Sequence, residues 1–237
     1  MITGRPHSRA VGGRETPRLI LASTSPRRRE LLDLIGIEHV IVPSNLVEAM
    51  NDDEPAGDLV RHLSLAKAMA VREQGTGDLV LAADTVVALD DRVIGKPSSA
   101  HEALSMLRLL RGRTHRVLTG VSLVEPGGEV TTSLEETLVT MRHASDSELW
   151  AYVQTGEPFD KAGAYGIQGQ GVALVERLVG CYSNVVGLPL CLVCQLLARQ
   201  SNPHRQVVWG DCRKSDRWCP LLPTSQYQGL PKADTSL

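Results

Sequence analysis

The chain has 237 residues, of which 42% are hydrophobic, enough to bury a sizeable core in one large domain or two small ones. With 25 basic against 27 acidic residues the net charge is about −2, which excludes the broad basic footprint of a protein that coats nucleic acid. No run approaches the ~18 apolar residues that read as a membrane-spanning helix, and the basic N-terminus carries no apolar signal core, so a soluble cytoplasmic protein is expected.

Residues 1–16 are rich in Gly, Arg, Pro and Ser without apolar periodicity and read as an extension ahead of the domain, which is placed at 17–200. Leu19, Ile20 and Leu21 read as a buried strand that turns into a helix, with Ser25 as N-cap, Pro26 at the first helical position and Gly36 as the stop. A helix N-terminus carries partial positive charge and unpaired N–H groups. Ser23, Thr24 and Ser25 add donors and Arg27 and Arg28 add fork-shaped cations, a combination that suits phosphate. A capped surface helix with solvated arginines is the plainer alternative.

His39 to Val42 is β-branched and ends at Pro43, consistent with a second short strand, and an acidic loop with Glu48, Asp52, Asp53 and Glu54 follows. Apolar residues from Leu59 to Ala70 recur at helical spacing over about 55–74, and Lys67 lies in that helix. LVLAADTVVAL, residues 79–89, is a near-continuous apolar strand that returns through Asp90-Asp91 to Val93 and Ile94 as a hairpin. Ser99 and Glu102 space a capping box for a helix to about Arg111; strands over about 115–124 and 130–141 flank Pro126-Gly127-Gly128; Ser145 and Glu148 space a second capping box. DKAGAYGIQGQG, residues 160–171, is too rich in glycine for regular structure and reads as a binding loop. A strand over 172–179, a helix from Gly187-Leu188-Pro189 to about Arg199 and an irregular tail over 201–237 complete the order, which predicts an α/β protein with a mixed sheet.

Asp84 stands out because a carboxylate inside an apolar strand is costly unless it is paired or meets a cation, which argues for a cleft at a strand end. Lys96 leaves the hairpin after that strand and can face the same cleft, with Lys67 entering from the preceding helix. Glu48 and Asp84 are candidate ligands of a divalent cation, since a few oxygen ligands plus substrate phosphates commonly hold Mg²⁺; a solvated acidic loop is the alternative for Glu48. No Walker A, GxGxxG or HExxH pattern occurs. All five cysteines fall in the last quarter, which suits a reducing compartment. Cys191-x-x-Cys194 has the spacing of half a zinc site but lies on a helical apolar face where cysteine also serves as core.

The ordered motifs LASTSPRRRELL, SLAKA at 64–68, LAADTVV, IGKP, GRTHRVLTGV, TGEPFDKAGAYGIQG and YSNVVGLPL resemble the Maf family, nucleotide pyrophosphatases also called septum-formation-inhibitor-like proteins, over about 18–198. The resemblance implies an elongated α/β fold related to the inosine triphosphate pyrophosphatases, with two lobes around a central cleft, and a homodimer. It also implies cleavage of a nucleoside triphosphate between the α and β phosphates with Mg²⁺ or Mn²⁺. Asp84 matches the family's proton acceptor. Arg27, Thr85 and Gln168 match the positions that mark the dTTP and UTP subgroup, whereas Trp after Ser-Pro marks the 7-methyl-GTP subgroup. Ser23, Arg28, Lys67 and Lys96 complete the expected substrate-binding set. Two departures stand against the pattern: SNLVEAMNDDEP replaces a more acidic DVDE-like run around Glu48, and the tail has no counterpart. A nucleotide-binding regulator of cell division with little turnover is the alternative function.

Overall fold

The computed structural model describes residues 17–46, 54–90 and 92–199. The expectations for Glu48, the N-terminal extension and the tail therefore lie outside the described residues. The organising element is β3 (Leu79–Leu89), whose eleven residues are buried along their length apart from a half-buried Thr85. It is flanked in a mixed sheet of order β2-β1-β3-β5-β6-β7, where β1 is Leu19–Leu21, β2 Val40–Ile41, β5 Thr114–Val124, β6 Val130–Met141 and β7 Val175–Val179. The pairings of β1 with β2 and β3 are parallel, and those of β3–β5, β5–β6 and β6–β7 are antiparallel.

One edge of β3 is shared. Its start pairs with β1 at residues 79–81, and its end pairs with the short antiparallel β4 (Arg92–Ile94) at residues 87–89. No described strand lies beside residues 82–86 on that edge, so the sheet itself leaves an opening there.

Side chains alternate across β3, and the two faces are covered differently. The odd positions 79, 81, 83, 87 and 89 enter the main core with α1 (Pro26–Leu34), α3 (Ala100–Leu110), α4 (Asp146–Gln154), α5 (Tyr182–Val186) and α6 (Leu190–Ala198). The even positions face α2 (Ala56–Arg72), which buries two separate apolar clusters. Ala68, Val71, Val80 and Ala82 belong to one, and Leu59, Val60, Leu63, Val86 and Ala88 to the other. Asp84 and Lys67 lie between them, with Ser64 and Ser122 hydrogen-bonded nearby at 2.9 Å, so a polar seam divides the apolar contact.

Gly120 makes that approach possible. It pairs with Asp84 in the ladder, and a Cβ there would stand 2.1 Å from the Val60 carbonyl oxygen, closer than any side chain tolerates. The glycine lets α2 settle on the sheet and bring Lys67 within reach of Asp84.

Both capping boxes have their first bond, Ser99 accepting from the Glu102 amide and Ser145 from the Glu148 amide, and the second is reciprocal. Two expectations differ in detail, and one short helix is additional. Strand β2 is only two residues long and exposed, because it is an edge strand with one neighbour. The strand expected from residue 172 starts at Val175, since Gly169–Leu174 winds as a 3-10 turn. The short helix α5 was not signalled by any apolar period over only five residues. Cys191 and Cys194 are 5% and 3% exposed in the main core and form no disulfide, and among the described residues no three His, Cys, Asp or Glu side chains gather as metal ligands. No helix of the described residues is long and apolar enough to cross a membrane.

Candidate active site

The opening beside β3 leads into a cavity of about 670 Å³. Its walls are the turn from β1 into α1, the middle of β3, the segment after β4, the loop around residues 160–168 and the end of α5. Ser23, Arg27, Arg28, Lys67, Asp84, Thr85, Lys96 and Gln168 all line it, although they come from positions up to 145 residues apart. Asp84 is not at a strand end as its sequence context suggested. It is the sixth of eleven residues, and the cleft reaches it because β1 and β4 stop short of each other on the same edge.

Asp84, 6% exposed, is paired through Oδ1 with the ammonium group of Lys67, a residue 8% exposed. An unpaired charge at this depth would cost several kcal/mol, on the order of 3–5, so the pair is the condition for burying either group. Lys67 thus orients the carboxylate.

The β1–α1 corner is arranged differently from a simple capped helix. Ser25 occupies the N-cap in extended conformation but its side chain makes no capping bond; its amide instead donates to Ser23 Oγ at 3.1 Å. Ser25 thus gives the first turn of α1 no side-chain cap, and a helix end of that kind is one that can receive an anion. Arg28 is locked across the floor: it donates from Nε to the Gly187 carbonyl at 2.9 Å, from Nη1 to Ser23 Oγ at 3.3 Å and from Nη2 to Thr85 Oγ1 at 3.3 Å. Thr85 is also bonded to Thr119 at 2.9 Å, so it supports Arg28 from beneath.

Arg27 reaches across the cavity mouth to Asp160, donating to its carboxylate at 2.5 Å and to its carbonyl at 3.2 Å. Burial works to raise the Asp160 carboxyl, but hydrogen bonds from Lys161 and Arg27 outweigh it and hold the group below the usual carboxylate range. Lys96 is exposed at the rim and has no ion-pair partner among the described residues. Its preceding Gly95 accepts from the Gly163 amide at 2.9 Å, tying the lysine's segment to the glycine-rich loop.

Gln168 hydrogen-bonds the buried hydroxyl of Tyr182, whose pKa is pushed up to about 12 by burial in spite of that bond. A second buried tyrosine, Tyr165, is bonded to His115 Nε2 at 2.6 Å with the rings edge-on at 5.3 Å. Sequence reasoning placed Asp160, Lys161 and Tyr165 in a binding loop without giving them partners, and it missed Tyr182, His115, Gly120 and Glu157. Glu157, Asp160 and Lys161 stand in the quoted TGEPFDKAGAYGIQG motif, where their charges in a glycine-rich stretch were the available signal.

A divalent cation of the Mg²⁺ type takes oxygen ligands and leans on substrate phosphates. The Asp84 carboxylate is an oxygen donor on the cavity wall, paired with Lys67, and the other described carboxylate that lines the cavity, Asp160, is engaged with Arg27 and Lys161.

The Maf-like protein family model matches residues 18–200. This chain belongs to the Maf family. The dTTP/UTP pyrophosphatase of Moorella thermoacetica (strain ATCC 39073 / JCM 9320) is 51% identical over 182 residues, covering 76% of this chain and 94% of that protein. The dTTP/UTP pyrophosphatase of Symbiobacterium thermophilum is 50% identical over 186 residues, covering 78% and 95%. Among solved structures, a nucleoside-triphosphatase / dITP/XTP pyrophosphatase from Mycobacterium abscessus superposes with a TM-score of 0.40 at 16% identity over 67% of this chain and 82% of its own. The Staphylococcus aureus Ham1 protein gives 0.41 at 14% identity over 67% and 79%. Superpositions this loose decide nothing about chemistry, and the Maf assignment stands on sequence.

Proposed function

We propose that the chain hydrolyses dTTP and UTP between the α and β phosphates, releasing the monophosphate and pyrophosphate and so clearing nucleotides from the pool. The observation that carries this reading is the gathering of Asp84, the arginine-bearing corner of α1 and Gln168 around one cavity, in a chain about 50% identical to proteins named for that activity. A nucleotide-binding regulator with little turnover would not need a buried carboxylate aimed into the phosphate end.

A triphosphate brings about four negative charges, and stabilising charge on the transferring group is the main demand in phosphoryl chemistry. The N-terminal end of α1 with Ser23 and Arg28 meets the phosphates from one side; Lys96 approaches from the rim. Arg28 is pre-set by Gly187 and Thr85, so little reorganisation is required on binding. Asp84, oriented by Lys67, accepts a proton from the attacking water and aligns it with the α phosphorus. A bound Mg²⁺ or Mn²⁺, held by Asp84 and by Glu48 together with the phosphates, would supply further charge neutralisation. Gln168 presents both a donor and an acceptor, which suits the edge of a pyrimidine ring. Arg27 completes the set once a phosphate competes with Asp160 for it.

Purified protein with Mg²⁺ is expected to convert UTP and dTTP to UMP or dTMP plus pyrophosphate, with purine triphosphates used at least tenfold less well. Release of orthophosphate and a diphosphate would overturn the proposed cleavage site, and tight UTP binding without products would favour the regulator.

A further inference from the structure

Glu157 lies in the turn Glu157–Asp160 that follows α4, and its carboxylate meets the glycine-rich loop outside the lining of the cavity. Its carboxylate is a convergence point. Oε2 accepts from the Gln170 amide at 2.9 Å, and Oε1 accepts from the Gly171 amide at 3.2 Å and from the Tyr152 hydroxyl at 3.0 Å. The Tyr152 oxygen in turn accepts from the Gly166 amide at 3.2 Å. Amides on both sides of Gln168 are thus tied, directly or through one hydroxyl, to a single side chain.

The loop closes tightly on that carboxylate. Gly169 has φ +66°, and a Cβ there would stand 2.8 Å from Oε2, so only glycine lets the backbone wrap this closely. The Glu157 backbone is anchored as well, its carbonyl accepting from Lys161 Nζ at 2.6 Å. Three donors converge on two oxygens, which calls for an acceptor-only group. Burial first, and the neighbouring Glu157 charge second, push the Tyr152 phenol well above its ordinary pKa, so it stays a donor.

We propose that Glu157 is the positioning residue for base selectivity: by pinning residues 166–171 from behind, it fixes where Gln168 meets the nucleobase. This rests on the reading of Gln168 as the base-contacting residue of a pyrimidine nucleoside triphosphate pyrophosphatase. Glu157 is not among the residues that line the cavity, and it acts through the loop. Glu157→Gln keeps the length and one acceptor but turns an NH₂ toward the Gln170 amide.

The test measures kcat and KM for UTP and CTP in wild type, Glu157→Gln, Glu157→Ala and Gln168→Ala, with amide hydrogen exchange of residues 166–171 in the same proteins. Glu157→Gln is expected to raise KM for UTP and lower the UTP-to-CTP ratio of kcat/KM about tenfold, close to Gln168→Ala, with kcat within about threefold of wild type. Exchange at Gln170 and Gly171 should speed up while the strands stay protected. An unchanged ratio and unchanged exchange in Glu157→Gln, beside a selective wild type, would overturn the inference alone, as would a parallel loss on both nucleotides from a fall in kcat. A wild type that releases no pyrophosphate from UTP would overturn the function itself, a result the exchange data would not resemble.

Discussion

A buried lysine and aspartate that meet between two apolar clusters depend on one another. Lys67→Met leaves the Asp84 charge uncompensated and should cost about 3 kcal/mol of stability in urea denaturation, whereas Lys67→Met combined with Asp84→Asn should recover most of that loss. Additive losses in the double variant would show that the two are not coupled. His115 offers a second check. Burial lowers its pKa from 6.5 to about 4, so the folded protein holds it neutral while the unfolded chain takes up a proton below 6.5. The unfolded state then binds more protons, and stability is lost as pH falls from about 6.5 toward 4, by at most about 3 kcal/mol. Thermal midpoints across that range should fall less steeply in His115→Gln, which keeps an acceptor for Tyr165. At this scale the sequence was informative wherever a charge interrupted an apolar run, as at Asp84, and silent about partners: nothing in it pairs Arg27 with Asp160 or Tyr165 with His115.

Among the elements, the contact of α2 with the sheet decides whether Lys67 and Asp84 can meet. Gly120→Val would drive a side chain into the backbone of Val60 and Arg61, so α2 must lift. We expect a loss of about 3 kcal/mol and a fall in kcat beyond what the stability loss explains, measured at a temperature where the variant is fully folded. The helices and long strands were legible because apolar periodicity, capping boxes and glycine stops agreed with one another. The two-residue β2, the five-residue α5 and the 3-10 turns were not, because each is too short to show a period and is held by tertiary contacts. Gly120 could not be assigned a purpose from sequence, since its need arises from a helix 60 residues away.

For the whole molecule, the mixed sheet followed from the strand-helix-strand start and the later hairpins, but the origin of the cleft did not. That β1 and β4 share an edge of β3 and leave residues 82–86 uncovered is a matter of pairing, which no local pattern records. The family model covers residues 18–200, so a chain limited to residues 17–200 is expected to turn over UTP within about twofold of the full chain, and loss of activity would assign the remaining residues a part in the site. The most direct measurement is the rate of pyrophosphate release from UTP by wild type and by Asp84→Asn, each shown by circular dichroism to be folded. The amide cannot accept the proton, and a fall in kcat of about a thousandfold with KM little changed is expected. Turnover by Asp84→Asn at the wild-type rate would contradict the assignment of Asp84 as the base.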